Sequence, residues 1–312
     1  MWFNNLIIYQ YQLDEEIDFT NALAEEILKP CPPHARFIYG WLPAFADELV
    51  HEVAGAKMIC MGKEERLLPR GVIQRVLAER IAQIETTQGR SVKRNEKAQL
   101  MEDIEFELLP KSFCVQKKTH AILDTVEKRI MINTSSDNQA NQLLTLLRKS
   151  IPGLRFEPMN HVDNLALLFT NWINSPANLP ENFSLANDCQ LFDLGDEKKK
   201  VNCKGYEMPA EEVLSLLSQG LAPSEISLNW NEHIQFTLTQ DLLIKRIKCL
   251  DYLTDEFNEL RNLDEEYLQQ DAALTLLTGE LRTLANALFS SLDKKQIEIS
   301  EVKPIVESIE AS

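Results

Sequence analysis

Residues 70–108 read RGVIQRVLAERIAQIETTQGRSVKRNEKAQLMEDIEFEL, and here the chain changes from short apolar runs to a period of 3.6. Ile73, Val76, Leu77, Ile81 and Ile84 fall on one stripe with Arg75, Glu79 and Arg80 between them, which predicts a helix from Arg70. Gln88-Gly89 breaks or bends that helix. A second helix is predicted from about Ser91 to Leu108, with Leu100, Met101 and Ile104 on its apolar side. Together they make a helical arm set into a mixed chain. Arg90, Lys93, Arg94 and Lys97 stand at i, i+3, i+4 and i+7, so a helix continuing through them places four like charges on one face. Each such pair costs roughly 0.2–0.5 kcal/mol, Glu96 offsets part of it, and an anionic partner would remove it.

On the N-terminal side of the arm, WFNNLIIYQY (2–11) reads as a strand. Residues 17–29 read as a helix, ended by Lys29-Pro30-Cys31-Pro32-Pro33 because successive prolines remove donors and clash with helical geometry. Residues 36–41 and 56–61 read as strands, with Gly40-Trp41-Leu42-Pro43 as a turn. Beyond the arm, THAILDTVEKRIMIN (119–133) reads as a β-hairpin turning around Asp124 to Arg129. A helix follows from about Asp137 to Ser150, carrying Leu143, Leu144, Leu146 and Leu147 and closed by Pro152-Gly153. Asn174 to Lys204 is rich in Asn, Pro and Asp, either a long connection or the edge of another domain. Residues 210–219 read as a short helix, 225–249 as two or three strands, and Tyr252 to Leu292 as acidic helix. These elements make an α+β protein. Its expected parts are a discontinuous central α/β domain (1–69 and 117–173), the arm (70–116), a second α+β domain (174–292) and a weakly ordered tail (293–312).

The 312 residues exceed the usual single-domain size, and 44% apolar with 26% charged residues is the balance of an ordinary globular protein. Six cysteines lie far apart with no C-x-x-C, so reduced and mostly buried thiols are expected. The N-terminus lacks a basic signal-peptide region and no apolar run reaches the roughly 18 residues of a membrane span, which points to the cytoplasm and to no membrane partner. A net charge of -16 argues against a uniformly nucleic-acid-binding surface. The charge is segregated, however: residues 63–149 hold 16 Lys+Arg against 12 Asp+Glu, and the rest of the chain holds 16 against 36. That pattern suits one surface approaching phosphates while the others stay acidic.

No P-loop, G-x-G-x-x-G or G-x-S-x-G motif is present, and the five histidines lie apart without H-E-x-x-H spacing. The acidic runs Asp14-Glu15-Glu16 and Asp264-Glu265-Glu266 read as solvated faces rather than metal ligands. No catalytic residue, metal or cofactor is expected. Further basic residues follow the arm at Lys111, Lys117 and Lys118 and recur at Lys245, Arg246 and Lys248. On a regular strand Lys245 shares a face with Ile247, and Arg246 with Lys248. Phe113 reads first as an aromatic tucked into its own core and alternatively as an exposed anchor in a partner's pocket.

An ordered series of segments resembles the recombination-associated RdgC family. It comprises Trp2 to Leu6, Gly40 to Pro43, Lys63 to Pro69 with Val72-Ile73, Leu108 to Phe113, Leu146 to Ser150, Ile234 to Phe236, Lys245 to Lys248 and Leu277 to Leu281. The resemblance implies crescent-shaped protomers joined at both ends into a homodimeric ring around double-stranded DNA. It also implies sequence-independent binding that limits a RecA-type recombinase, at the nucleoid. Arg90 and Lys111 fall on the family's basic positions and Phe113 on its ring-closing aromatic. At a second interface family members can carry Lys-Lys-Gln where this chain has Lys204-Gly205-Tyr206, so only Lys204 carries over. The alternatives from other classes are a metal-dependent DNA-processing nuclease and an interaction scaffold that never touches DNA.

Overall fold

The computed structural model describes residues 2–14, 17–159 and 164–301. Glu15, Glu16, His161 and residues 302–312 of the expected tail lie outside them. The chain begins with β1 (Ile7–Gln12), α1 (Phe19–Ala24), β2 (Phe37–Leu42), β3 (Val50–Val53) and β4 (Ala56–Arg66). The arm, α2 (Arg70–Gln88) and α3 (Arg94–Leu108), leads into β5 (Cys114–Asp124) and β6 (Arg129–Ile132). Then come α4 (Asp137–Ser150), β7 (Arg155–Pro158) and α5 (Leu165–Asn174). The strands form one sheet in the order β2-β4-β5-β6-β1-β7, with β3 also beside β4, and all its pairs are antiparallel.

Both faces of this sheet are covered, which is why its strands read as continuous apolar runs. Side chains alternate across a strand. Ile7, Ile59, Ala121, Leu123 and Ile130 therefore pack with Leu143, Leu144 and Leu147 of α4 and Leu23 of α1. Their neighbours Ile8, Met58, Ile122 and Met131 join a second buried cluster on the opposite face. α4 starts at Ser136, whose hydroxyl accepts from the Gln139 N–H at 3.4 Å, and ends where buried Trp41 donates its indole N–H to Ser150 Oγ at 2.8 Å.

The turn expected at Gly40-Trp41-Leu42-Pro43 is instead the end of β2, paired residue for residue with β4. The glycine serves close approach rather than turning: a Cβ on Gly40 would stand 2.4 Å from the Leu28 Cα. The helix expected over 17–29 is only the six residues of α1, because the following segment pairs with Trp41 of β2 instead: Leu28 donates its N–H to Trp41 O at 2.9 Å and Trp41 donates its N–H to Glu26 O at 2.8 Å.

The remaining elements are β8 (Phe183–Asp193), β9 (Asp196–Lys204), α6 (Glu211–Ser218), β10 (Leu221–Trp230), β11 (Ile234–Thr239), β12 (Ile244–Cys249), α7 (Asp251–Leu260) and α8 (Glu266–Glu301). The five strands make an antiparallel sheet ordered β12-β11-β10-β8-β9. The stretch left open between a connection and a domain edge is thus the β8–β9 edge hairpin. α8 presents Leu274, Leu277, Leu281, Leu284, Leu288 and Leu292 at helical spacing to the same buried cluster that lines both sheets. No helix among the described residues is long and apolar enough to cross a membrane.

Three joints tie the sheets together. The segment before β1 bridges to β12 through Leu6 and Ile244, whose backbones exchange hydrogen bonds of 2.7 and 3.1 Å, so the strand expected from Trp2 is shared between two sheets. Arg282 of α8 donates to both oxygens of Asp124, at 2.6 and 2.9 Å. Buried His51 stands 2.9 Å from Glu48 Oε2 and 3.0 Å from Asp271 Oδ1 of α8.

Candidate nucleic-acid interface

The arm is an excursion between two antiparallel neighbours: β4 ends at Arg66, β5 begins at Cys114, and those residues are register partners. Its root is fixed by Arg66. The guanidinium donates to the carbonyls of Cys31, Pro32, Leu109, Pro110 and Ser112 at 2.9–3.4 Å. Arginine suits this position because five N–H donors in a rigid fork can reach several loop and turn carbonyls at once. Sequence reading missed this residue, since nothing in the local pattern distinguishes it from the other arginines.

At the tip, α2 stops at Gly89, which takes the left-handed conformation with φ 61° and donates its N–H to Glu85 O at 2.9 Å. α3 begins only after Lys93, so the four clustered cations do not share one continuous helical face. Arg90 lies in the turn between the helices, Lys93 caps α3, and Arg94 and Lys97 occupy its first turns; all four side chains are exposed. Arg90 is held by both Glu96 oxygens at 2.7 Å and by Gln88 at 2.8 Å. The hydrogen bond from Arg90 holds the Glu96 carboxyl below its usual range, so this pair stays charged and mutually neutralised. Lys93, Arg94 and Lys97 make no ion pair among the described residues and add to the positive end of the α3 dipole.

Three other basic sites share one design: two cations around one carboxylate, leaving a net positive charge. Glu107 receives Arg80 and Lys111, Lys111 at 3.4 Å. Glu65 receives Lys117 at 3.0 Å and Lys63 at 3.1 Å, and Glu225 receives Lys245 at 3.2 Å and Arg246 at 2.8 Å. Hydrogen bonds from Arg80 and then Lys111 pull Glu107 below the ordinary carboxylate range, as those from Lys117 and Lys63 do for Glu65. Lys117 and Lys118 are consecutive on β5 and project to opposite faces of the sheet, Lys117 in the row of Tyr39 and Lys63, Lys118 in the row of Gly40 and Gly62.

The expected sharing of faces on β12 is corrected by a bulge. Thr237 pairs with Lys245 but Gln235 pairs with Lys248, so Phe236 of β11 opposes both Arg246 and Ile247 of β12, with Arg246 at φ 54° as the extra residue. Ile244 and Ile247 point into the core, while Lys245, Arg246 and Lys248 all face outward. The bulge converts a half-basic strand into a wholly basic outer edge.

Phe113 is 85% exposed, which overturns its reading as a core aromatic. The backbone explains it: Leu67 N–H donates to Phe113 O at 2.7 Å, and the residue joins the 3-10 turn Leu109–Lys111 to an edge whose next five residues are all exposed. Leu67, at 48%, and Phe106, at 63%, are also exposed near this root. Lys204 ends β9, exposed, opposite Asp188.

The family model described as "Putative exonuclease, RdgC" matches residues 1–295. The chain belongs to the RdgC family. The recombination-associated protein RdgC of Pseudoalteromonas translucida is 32% identical over 298 residues, covering 94% of this chain and 98% of its own. Its counterparts in Aeromonas hydrophila and Colwellia psychrerythraea are each 32% identical, covering 96% of this chain and 100% and 99% of theirs. RdgC relatives thus match the chain nearly end to end and carry a name that associates them with recombination. Among the described residues no three His, Cys, Asp or Glu side chains cluster as metal ligands.

Proposed function

We propose that this protein binds double-stranded DNA without reading its sequence, as a homodimer that closes into a ring of two crescent-shaped protomers, and thereby limits a RecA-type recombinase at the nucleoid. The observation that carries the reading is the group of outward cations that make no ion pair among the described residues, in a chain of net charge -16: Lys93, Arg94 and Lys97 at the arm tip, with Lys118 and Lys248 elsewhere. A protein with surplus acid had ample carboxylates to neutralise these positions. Phosphates supply the missing partners, and affinity comes from the counterions they release, with no need for contacts to base edges. Phe113, and Lys204 at the end of β9, are the proposed contacts between copies.

The test is fluorescence-anisotropy titration of two unrelated duplexes across a salt series. With Arg90 engaged by Glu96, three tip cations from each of two protomers predict a log-log slope of about -5 from the tip alone, at roughly 0.9 per phosphate. The Lys93→Glu/Arg94→Glu/Lys97→Glu variant should flatten that slope, and both duplexes should bind equally. Absence of binding at low salt would leave the interaction scaffold as the reading.

A further inference from the structure

The second sheet sets two thiols side by side. Cys189 of β8 and Cys203 of β9 are direct partners in the antiparallel register, and both are buried, at 6% and 5% exposure. Directly opposed residues on antiparallel neighbours hold their Cβ atoms about 4.5–5.5 Å apart, and a disulfide takes about 3.5–4.5 Å. The bond therefore closes with a small inward shift of an edge hairpin, which among the described residues has no further strand on the β9 side to resist it. A polar recess of about 120 Å³ reaches the pair, lined also by Asp188, Gln190, Asn202 and Arg246, large enough to admit a molecule the size of hydrogen peroxide.

We propose that Cys189 and Cys203 form a peroxide-responsive dithiol that closes reversibly to an intramolecular disulfide. One sulfur, as thiolate, attacks a peroxide oxygen; the O–O bond breaks, and the departing hydroxide takes up that thiol's proton as water. The sulfenic acid so formed is attacked by the second sulfur, the S–O bond breaks, and hydroxide again leaves as water with the second proton. Two thiols lose two electrons and one hydroperoxide is reduced. The product welds the edge strand that carries Lys204 to its neighbour.

Burial, and next the adjacent Cys203, push the Cys189 thiol up to about 12, so thiolate is scarce at neutral pH. The reaction is accordingly slow and base-accelerated, and peptide mapping follows it apart from oxidation of exposed Cys114.

The experiment exposes the native full-length protein to hydrogen peroxide at pH 7, 8 and 9. Free thiols are then alkylated in denaturant, and non-reduced peptides are mapped by mass spectrometry. The expected result is a Cys189–Cys203 linked peptide within one chain, removed by dithiothreitol, whose rate of appearance rises about tenfold per pH unit. Full alkylation of both residues after prolonged peroxide exposure of the folded protein at pH 9, where the reaction is fastest, would overturn the proposal. So would linkage that appears only when oxidation is carried out in denaturant, or that joins different chains. The wild-type map decides without any variant whose folding could be in question.

Discussion

Arg66 and Phe113 meet at the root of the arm and follow opposite rules. Arg66 is a charged side chain turned inward to serve five carbonyls, and Phe113 is a large apolar one turned out. An aromatic this exposed contributes little to the fold of its own chain, so Phe113→Ala should change unfolding free energy by no more than about 0.5 kcal/mol. If it fills a pocket on a second copy, the same truncation removes an interface anchor and should raise the dimer dissociation constant about tenfold or more. Sedimentation velocity across a concentration series, beside urea unfolding, separates the two effects. Equal dimer affinity in variant and wild type would remove Phe113 from the interface. The fork of Arg66 was not legible in the sequence because it depends on carbonyls 34–46 positions away, whereas the sequence left Phe113 open between a core and an exposed reading, since it differs from a core aromatic only through its position at an open edge.

At the scale of elements, legibility followed periodicity. α2, α3 and α4 were readable because each carries an apolar stripe and a stop signal, and the Asp137–Ser150 bounds of α4 coincide with its cap and its Pro152-Gly153 exit. β8 and β9 were not, because NDCQLFDLGDEKKKVN alternates polar residues on an exposed face with bulges that break the period of two. The Arg246 bulge has no sequence signal at all, yet it decides which way three basic residues face. The arm is the weakest element: its separate core consists of Ile73, Leu77 and Ile104 with a few half-buried neighbours. It should therefore open below the global unfolding free energy and exchange its amides faster than α4, as read by hydrogen-exchange mass spectrometry. Ile104→Ala, which removes a fully buried side chain, should cost about 2–5 kcal/mol within the arm while leaving α4 exchange unchanged. Coordinate loss of protection in α4 would make the arm part of one cooperative unit.

At the scale of the whole molecule, α8 is the element on which both sheets depend, since its leucine stripe lies in the cluster they share. An apolar stripe alone leaves a long helix free to slide, whereas the Arg282–Asp124 pair fixes its register against the first sheet. Asp124 is 1% exposed and also accepts from the Val126 and Glu127 N–H groups at 2.9 and 3.2 Å, so its charge is fully engaged only while Arg282 is present. Arg282→Ala leaves a buried carboxylate with two backbone donors and no counter-charge, and should cost about 3–5 kcal/mol in urea unfolding. Replacing both partners by apolar residues, Arg282→Met with Asp124→Leu, removes the stranded charge and should recover a large part of that loss, although the turn after β5 then lacks its acceptor. The comparison distinguishes two accounts of how the sheets are joined. A single variant costlier than the double identifies the clasp as an electrostatic lock whose partners must be kept or lost together. A single variant costing under about 1 kcal/mol shows that Leu277, Leu281, Leu284 and Leu288 hold α8 in register by packing alone.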